Sequence, residues 1–417
     1  MSKKNNAPRL GGAKSGAGTL AASLLCILIG LVIGFVVLLL LAWISAAQGT
    51  GEYTFGSLLK TTWSTGFLPI LTGGFYSTAN IHGMGVRAEL IQAAPLIMTG
   101  LSVGFAFKTG LFNIGAAGQY TLGAFGALYC ALVLKLPWWA CLLAATLFGA
   151  VWGAIPGIFK AFLNVNEVIT SIMFNWIGLY AVNTMIYAGG AGVMYNAKQT
   201  KTYELQQVSP GSLIPSFNLK VGGEDYFMKN SAPTIAIFIA IAVAIIIWVV
   251  INKTTFGYEL KACGHNKDAA RYAGINEKKN IVLSMLIAGA LAGFGAGLFY
   301  LSGTKQWEPL NSNALPAAGF NGISVALLAA SNPLGAIFSG LFITHITLGG
   351  GFMAAKIFPS EVADIISGVV IYLCAFSLLF KSGILRLFTR KTKAVSAPAD
   401  PQPGPVGPDE QGKEGDA

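Results

Sequence analysis

The sequence predicts an all-α, polytopic integral membrane protein with about ten transmembrane helices. Three observations carry that expectation. Of 417 residues, 54% are hydrophobic and only 11% charged, with a mean hydropathy of +0.63. A soluble domain carries about 25% charged residues, so the supply for a wetted surface is less than half the usual one. The apolar residues also gather in runs close to the roughly 20 residues a spanning helix needs. Finally, the 52 glycines suit helices packed in lipid, where small residues let backbones approach.

The elements follow in chain order. Residues 1–19 form a basic leader with Lys3, Lys4, Arg9 and Lys14, and an apolar run follows over 20–47. That run exceeds the ~7–15 residues of a signal-peptide core and reads as an uncleaved first span. The run 55–81 reads as an external or re-entrant segment. Spans are expected at 93–107, then up to 134 after a glycine-rich break, then at 138–159 and 168–187. A polar segment covers 189–229. The remaining spans are 235–251, 281–301, 317–330, 334–348 and 362–380, with a charged loop at 252–280. Residues 381–417 open on a basic juxtamembrane cluster (Lys381, Arg386, Arg390, Lys391, Lys393), suited to anionic headgroups. They close on an acidic, Pro-rich tail expected to be disordered.

Charge placement orients these spans. An even number puts both termini on one face. With the N-terminus inside, 18 of the 27 Lys and Arg residues fall on cytoplasmic segments, as the positive-inside rule requires. The net charge of +10 is therefore a topology signal, and nucleic acid is not an expected partner. The location implied is an inner or plasma membrane.

Enzyme signatures are mostly missing. There is no Gly-Lys-Ser/Thr, so ATP hydrolysis through a P-loop is excluded. Gly100-Leu101-Ser102-Val103-Gly104 matches a nucleophile elbow, but that motif needs a strand-to-helix turn and this one lies in an apolar span. The five cysteines form no CxxC pair and read as packing residues. His82, His265 and His345 lack ligand spacing; His345, inside a span, reads as a hydrogen-bonded packing residue rather than a relay. Neither a catalytic residue nor a metal site is expected.

Three segments stand out. In Lys108–Gln119, Gly110, Gly115 and Gly118 favour a broken helix, and Asn113 and Gln119 place amides beside it. Irregular backbone at membrane depth is tolerated only where it is buried or lines a wet cavity; an ordinary hairpin is the other reading. In Gly157–Asn175, Asn166 and Glu167 suit a helix start, through capping and the dipole. Asn175 falls two turns further in, where an amide must face other helices or a pathway. Upstream, Gly149, Gly153 and Gly157 repeat at close-packing spacing, and Pro156 is expected to kink that helix. The 252–280 loop is too polar for lipid and suggests a short amphipathic helix on the cytoplasmic face, or else a solvated connector. The span after it carries Gly289, Gly293 and Gly297 and should pack tightly.

Together these segments resemble the membrane-spanning subunit of ATP-binding-cassette importers. The similarity is to the branched-chain amino acid, ribose and nucleoside permease superfamily, and within it to bacterial nucleoside or simple-sugar permeases that work with lipoprotein receptors. GLFNIGAAGQ (110–119), PGIFKAFLNVNEVITSIMFN (156–175), AARYAGI (269–275) and GFNGISVALLAASNPLGA (319–336) carry the resemblance. It spans about residues 90–380, and Ala117 stands where the family usually has an acid.

The resemblance implies a nucleoside importer, or alternatively a ribose-like sugar importer. An external solute-binding lipoprotein would deliver the solute to a pair of permease subunits, and cytoplasmic ATPases would drive them. No cofactor is implied for this chain; ATP and Mg would sit on the partner ATPase. The 252–280 loop would be the coupling element, with Gly264, Asn266, Ala269, Ala270 and Gly274 at the docking surface. Asn113, Gln119, Asn166, Glu167, Asn175, Phe320 and Asn321 would line the translocation path, and Phe112, Phe174 and Phe320 could stack a base or sugar. An ion-coupled secondary transporter is the rival, disfavoured because the deep spans hold almost no ionisable residues.

Overall fold

The computed structural model of the chain describes residues 12–49, 54–76, 84–189, 193–218, 220–221, 224–225, 232–309, 314–359 and 361–375. Most of the basic leader, the juxtamembrane cluster and the Pro-rich tail lie outside the described residues. The chain opens with α1 (Gly12–Gln48). A short helical segment follows, made of α2 (Phe55–Thr61), a π-turn (Thr62–Phe67), α3 (Leu68–Thr72) and a 3₁₀ turn (Gly73–Phe75). Then come α4 (Met84–Lys108), α5 (Ala116–Leu132), α6 (Trp138–Leu163) and α7 (Glu167–Thr184). The polar segment holds two antiparallel hairpins, β1 (Tyr195–Asn196) with β2 (Lys201–Thr202) and β3 (Lys220–Val221) with β4 (Glu224–Asp225), and a single turn, α8 (Leu205–Val208). These two-residue strands are the departure from the all-α expectation. The chain closes with α9 (Ala236–Lys253), α10 (Thr255–His265), α11 (Lys267–Tyr272), α12 (Glu277–Tyr300), α13 (Ala317–Leu328), α14 (Pro333–Gly351) and α15 (Glu361–Ala375).

Seven helices among the described residues are long and apolar enough to cross a membrane: α1, α4, α6, α7, α9, α12 and α14. The other three predicted spans coincide with shorter helices, α5 (17 residues), α13 (12 residues) and α15 (15 residues). At 1.5 Å per residue α13 reaches about 18 Å, little more than half of a ~30 Å hydrocarbon core. Large apolar side chains face outward, among them Leu147 (64% exposed), Val151 (64%) and Phe338 (74%). A wetted surface would not tolerate such a band; lipid covers it.

Small residues set the tightest contact, between α6 and α12. The two glycine series that stand out in the sequence face each other. A Cβ on Gly153 would lie 2.8 Å from Gly289 Cα, and one on Gly149 would lie 2.7 Å from Gly293 Cα. Backbone meets backbone, the geometry that replaces the hydrophobic effect as glue in lipid. Pro156 sits inside α6 without interrupting it.

Helix starts follow capping chemistry. Asn166 accepts from Val168 N (2.8 Å), Asn266 from Ala269 N (3.0 Å) and Asn276 from Lys279 N (3.1 Å). Each side chain satisfies one of the four N–H groups that a helix start leaves unpaired. On the far side, the hairpin segment is fastened to the chain that follows α12. Thr202 N donates to Trp307 O (2.8 Å), Trp307 Nε1 donates to Asn183 Oδ1 (2.8 Å), and Lys201 pairs with Glu308 at 3.0 Å.

Candidate functional site

The broken stretch between α4 and α5 is the structural centre. Gly110 takes a left-handed conformation (φ +73°) and turns the chain out of α4. Thr109 and Ser284 share a hydroxyl hydrogen bond, and Ala116 packs with Ala292. The stretch thus climbs eight residues of α12, about 12 Å, before α5 begins. Its polar backbone groups need partners at that depth. Asn175, 2% exposed, supplies two: its Oδ1 accepts from Gly118 N (2.8 Å) and its Nδ2 donates to Ile114 O (3.0 Å). Asn113 and Gln119 pair amide to amide at 2.8 and 3.0 Å, and Asn113 also donates to Ser102 Oγ (3.1 Å). Ser102, the centre of the elbow-like motif, donates to Ala288 O at 2.6 Å. It is a pin between α4 and α12 and not a nucleophile.

The path residues expected from sequence therefore separate. Asn113, Gln119 and Asn175 come together in the buried break, where Asn175 clamps backbone and Asn113 and Gln119 pair with each other, and none of the three lines the cavity described next. Asn166 is the cap of α7, and Glu167 next to it pairs with Lys160 at 2.9 Å across the α6–α7 turn. Phe112 stacks on Phe107 (5.1 Å, 8°) and Phe174 packs on Trp152 (5.4 Å), so neither is available to a ligand here. Phe320 is 39% exposed on α13. Asn321 alone of the seven lines the cavity.

That cavity, about 280 Å³, lies between α4, α5, α12, α13 and α14. Gln92, Tyr120, Tyr300, Lys305, Asn321 and Thr347 give it polar edges, and the first turn of α13 closes one wall. It sits at the Tyr300 end of α12, some 35 Å of helix away from the end at which the 252–280 loop enters. Composition and spacing do not reveal it, because its walls come from five separate helices.

At the opposite end the loop forms two helices, α10 and α11, where the sequence suggests one. Gly264 seats α10 on the bundle: a Cβ there would lie 2.8 Å from Gly110 N. Ala270 is 3% exposed. Both residues pack against the permease body. The outward face is formed by Lys267, Asp268, Ala269, Arg271 and Gly274, with Tyr272 at 94% exposure. Asn266 serves this face indirectly, as the cap of α11. Cys263 lies beneath, near Asn280 Nδ2 at 3.8 Å. Burial pushes its thiol up, so it stays protonated and packs as a small apolar group.

A further polar contact was not legible as such. His345 Nδ1 and Glu89 Oε1 are 2.9 Å apart, His345 Nε2 meets Leu71 O at 2.9 Å, and Glu89 Oε2 accepts from Gly74 N at 2.9 Å. This pair fastens the 55–75 segment to α4 and α14. The packing role expected for His345 is thereby given its partner. The sequence reading missed Glu89 because it opened the second span at 93, whereas α4 starts at Met84.

A lipid-covered bundle with a backbone break at depth, a cavity at one end and an amphipathic helix pair seated at the other defines a membrane permease. Its parts match a known family over most of their length. The description "Branched-chain amino acid transport system / permease component" fits residues 87–375, and the chain belongs to that family. Guanosine ABC transporter permease protein NupP of Bacillus subtilis is 35% identical over 308 residues, 72% of this chain and 84% of that protein. Nucleoside ABC transporter permease protein NupB of Lactococcus lactis is 34% identical over 317 residues (74% and 83%). Glucose ABC transporter permease protein TsgB13 of Haloferax volcanii is 31% identical over 302 residues (71% and 77%). The chain is thus a multi-pass subunit of an ABC transporter at the plasma membrane, and not an enzyme.

Proposed function

We propose that this chain forms the translocation path for a nucleoside in an ABC importer. Its 34–35% identical relatives, a guanosine and a nucleoside permease, support the nucleoside. The observation that carries the importer reading is the seated loop. α10 and α11 rest on the glycine at the mouth of the buried break and turn Tyr272 and its charged neighbours outward. In this reading a cytoplasmic ATPase docks there, its nucleotide and Mg held on its own chain. Ten crossings with both termini cytoplasmic put that loop inside, with the Lys and Arg excess, and put the hairpin segment and cavity outside. An external solute-binding lipoprotein then delivers the solute to the cavity end, and a second permease subunit completes the pathway.

A ribose-like sugar is the second reading, favoured by the glucose relative and by the cavity's polar edges. The test is uptake into vesicles carrying the chain with its ATPase, companion permease and receptor. Guanosine accumulation that needs ATP and survives ionophores is expected. Uptake by this chain alone, or its collapse with an ionophore, refutes the importer reading.

A further inference from the structure

The cavity at the Tyr300 end of α12 has the features of a built site and not of a plain passage. Tyr120 is 2% exposed and Tyr300 is 8% exposed, and both line it. Their rings lie 6.4 Å apart at 56°, and Phe299 meets Tyr300 edge-on at 5.3 Å. Both rings stand at the edge of the cavity, with their side chains otherwise enclosed by the bundle. Where the cavity reaches them, the phenol hydroxyls offer hydrogen-bond donors to a solute.

The adjoining wall is the start of α13. Ala317 and Ala318 line the cavity and belong to the first turn, whose N–H groups have no partner within the helix. The positive end of the helix dipole lies there too. Gln92 and Asn321 add amides that both donate and accept. The wall is rich in donors, backed by aromatic rings, and free of carboxylates. Its volume, about 280 Å³, lies near the lower end of the ~300–1,000 Å³ of small-molecule sites. With Lys305 as a further donor on its edge, such a wall suits an oxygen-rich ring compound whose hydroxyl and carbonyl groups accept hydrogen bonds, as a ribonucleoside's do.

We infer that the permease itself selects its solute here, with Tyr120, Tyr300 and Asn321 reading the hydroxyl and carbonyl groups of a ribonucleoside. The inference rests on the nucleoside reading above and adds a second point of discrimination after the receptor. A site that hydrogen-bonds a substrate hydroxyl rejects analogues lacking it, because its own groups are left unpaired.

The test uses the complete transporter in vesicles, with guanosine and 2′-deoxyguanosine as solutes and the receptor's affinity for each measured separately. The unaltered complex should favour guanosine by more than the receptor's affinities explain. Tyr120→Phe and Tyr300→Phe should each lower guanosine uptake about three- to tenfold, the worth of one hydrogen bond. Receptor-stimulated ATP hydrolysis should persist. Asn321→Ala, at a partly exposed position, carries the same expectation should a tyrosine variant fail to assemble. Unchanged uptake and unchanged preference in the assembled variants overturn the selectivity site. Absence of nucleoside uptake by the unaltered complex overturns the nucleoside reading instead.

Discussion

Asn175 is costly in lipid unless paired, and its burial against Gly118 N and Ile114 O fixes where it is spent. Asn175→Leu removes both partners and leaves two backbone groups unsatisfied, at about 1–3 kcal/mol each. The variant should melt earlier in detergent and be recovered in lower yield. An unchanged melting temperature would mean that the clamp is dispensable. Sequence marked Asn113, Gln119 and Asn175 as polar groups that need a reason inside a span. It could not say that the reason was one another and the backbone, since that depends on α5 and α7 meeting. Glu89 was hidden differently: hydropathy set the span edge beyond it, and His345, its partner, is 256 residues away.

Between elements the packing makes sharper claims. Gly153 faces Gly289, so Gly153→Leu must push α6 off α12. Overpacking of this kind costs about 1–3 kcal/mol where a side chain can shift, and here the obstacle is main chain. Loss of assembled protein is expected on size exclusion, whereas Gly56→Ala, with nothing within 4 Å of its Cβ, should assemble normally. The loop gives a paired contrast. Ala269 is exposed and Ala270 is 3% exposed. Ala269→Glu should insert and fold normally yet uncouple ATP hydrolysis from solute; Ala270→Glu should lower the folded yield. Equal behaviour of the two would remove the proposed docking face. The glycine stripes were legible as close-packing series because spacing alone defines them. Their pairing with each other was not, since spacing names no partner. Likewise Gly264 and Ala270 read as surface, because a polar loop hides which of its small residues point inward.

At the scale of the molecule, orientation is open to direct measurement. Tyr272 is 94% exposed on the loop, and Gly211 has open space around it on the hairpin side. Cys26, Cys130, Cys141 and Cys263 are all buried. In sealed, right-side-out vesicles, Gly211→Cys should react with a membrane-impermeant maleimide and Tyr272→Cys only after permeabilisation. The reverse pattern would invert the topology and place the cavity inside. Composition sufficed for a many-helix membrane protein, because it acts on the whole chain, and charge placement proposes the orientation that these labels test. The cavity needed coordinates, because five helices separated in sequence contribute one to three residues each.

The α6–α12 seam also constrains how this protein can change. In an ordinary core a larger residue can be accommodated if its neighbour shrinks. Glycine against glycine has no smaller substitute to offer, so an alteration at Gly149 or Gly153 finds no remedy at Gly293 or Gly289. Second-site revertants of such variants should therefore map elsewhere, and the seam itself should behave as closed to compensation.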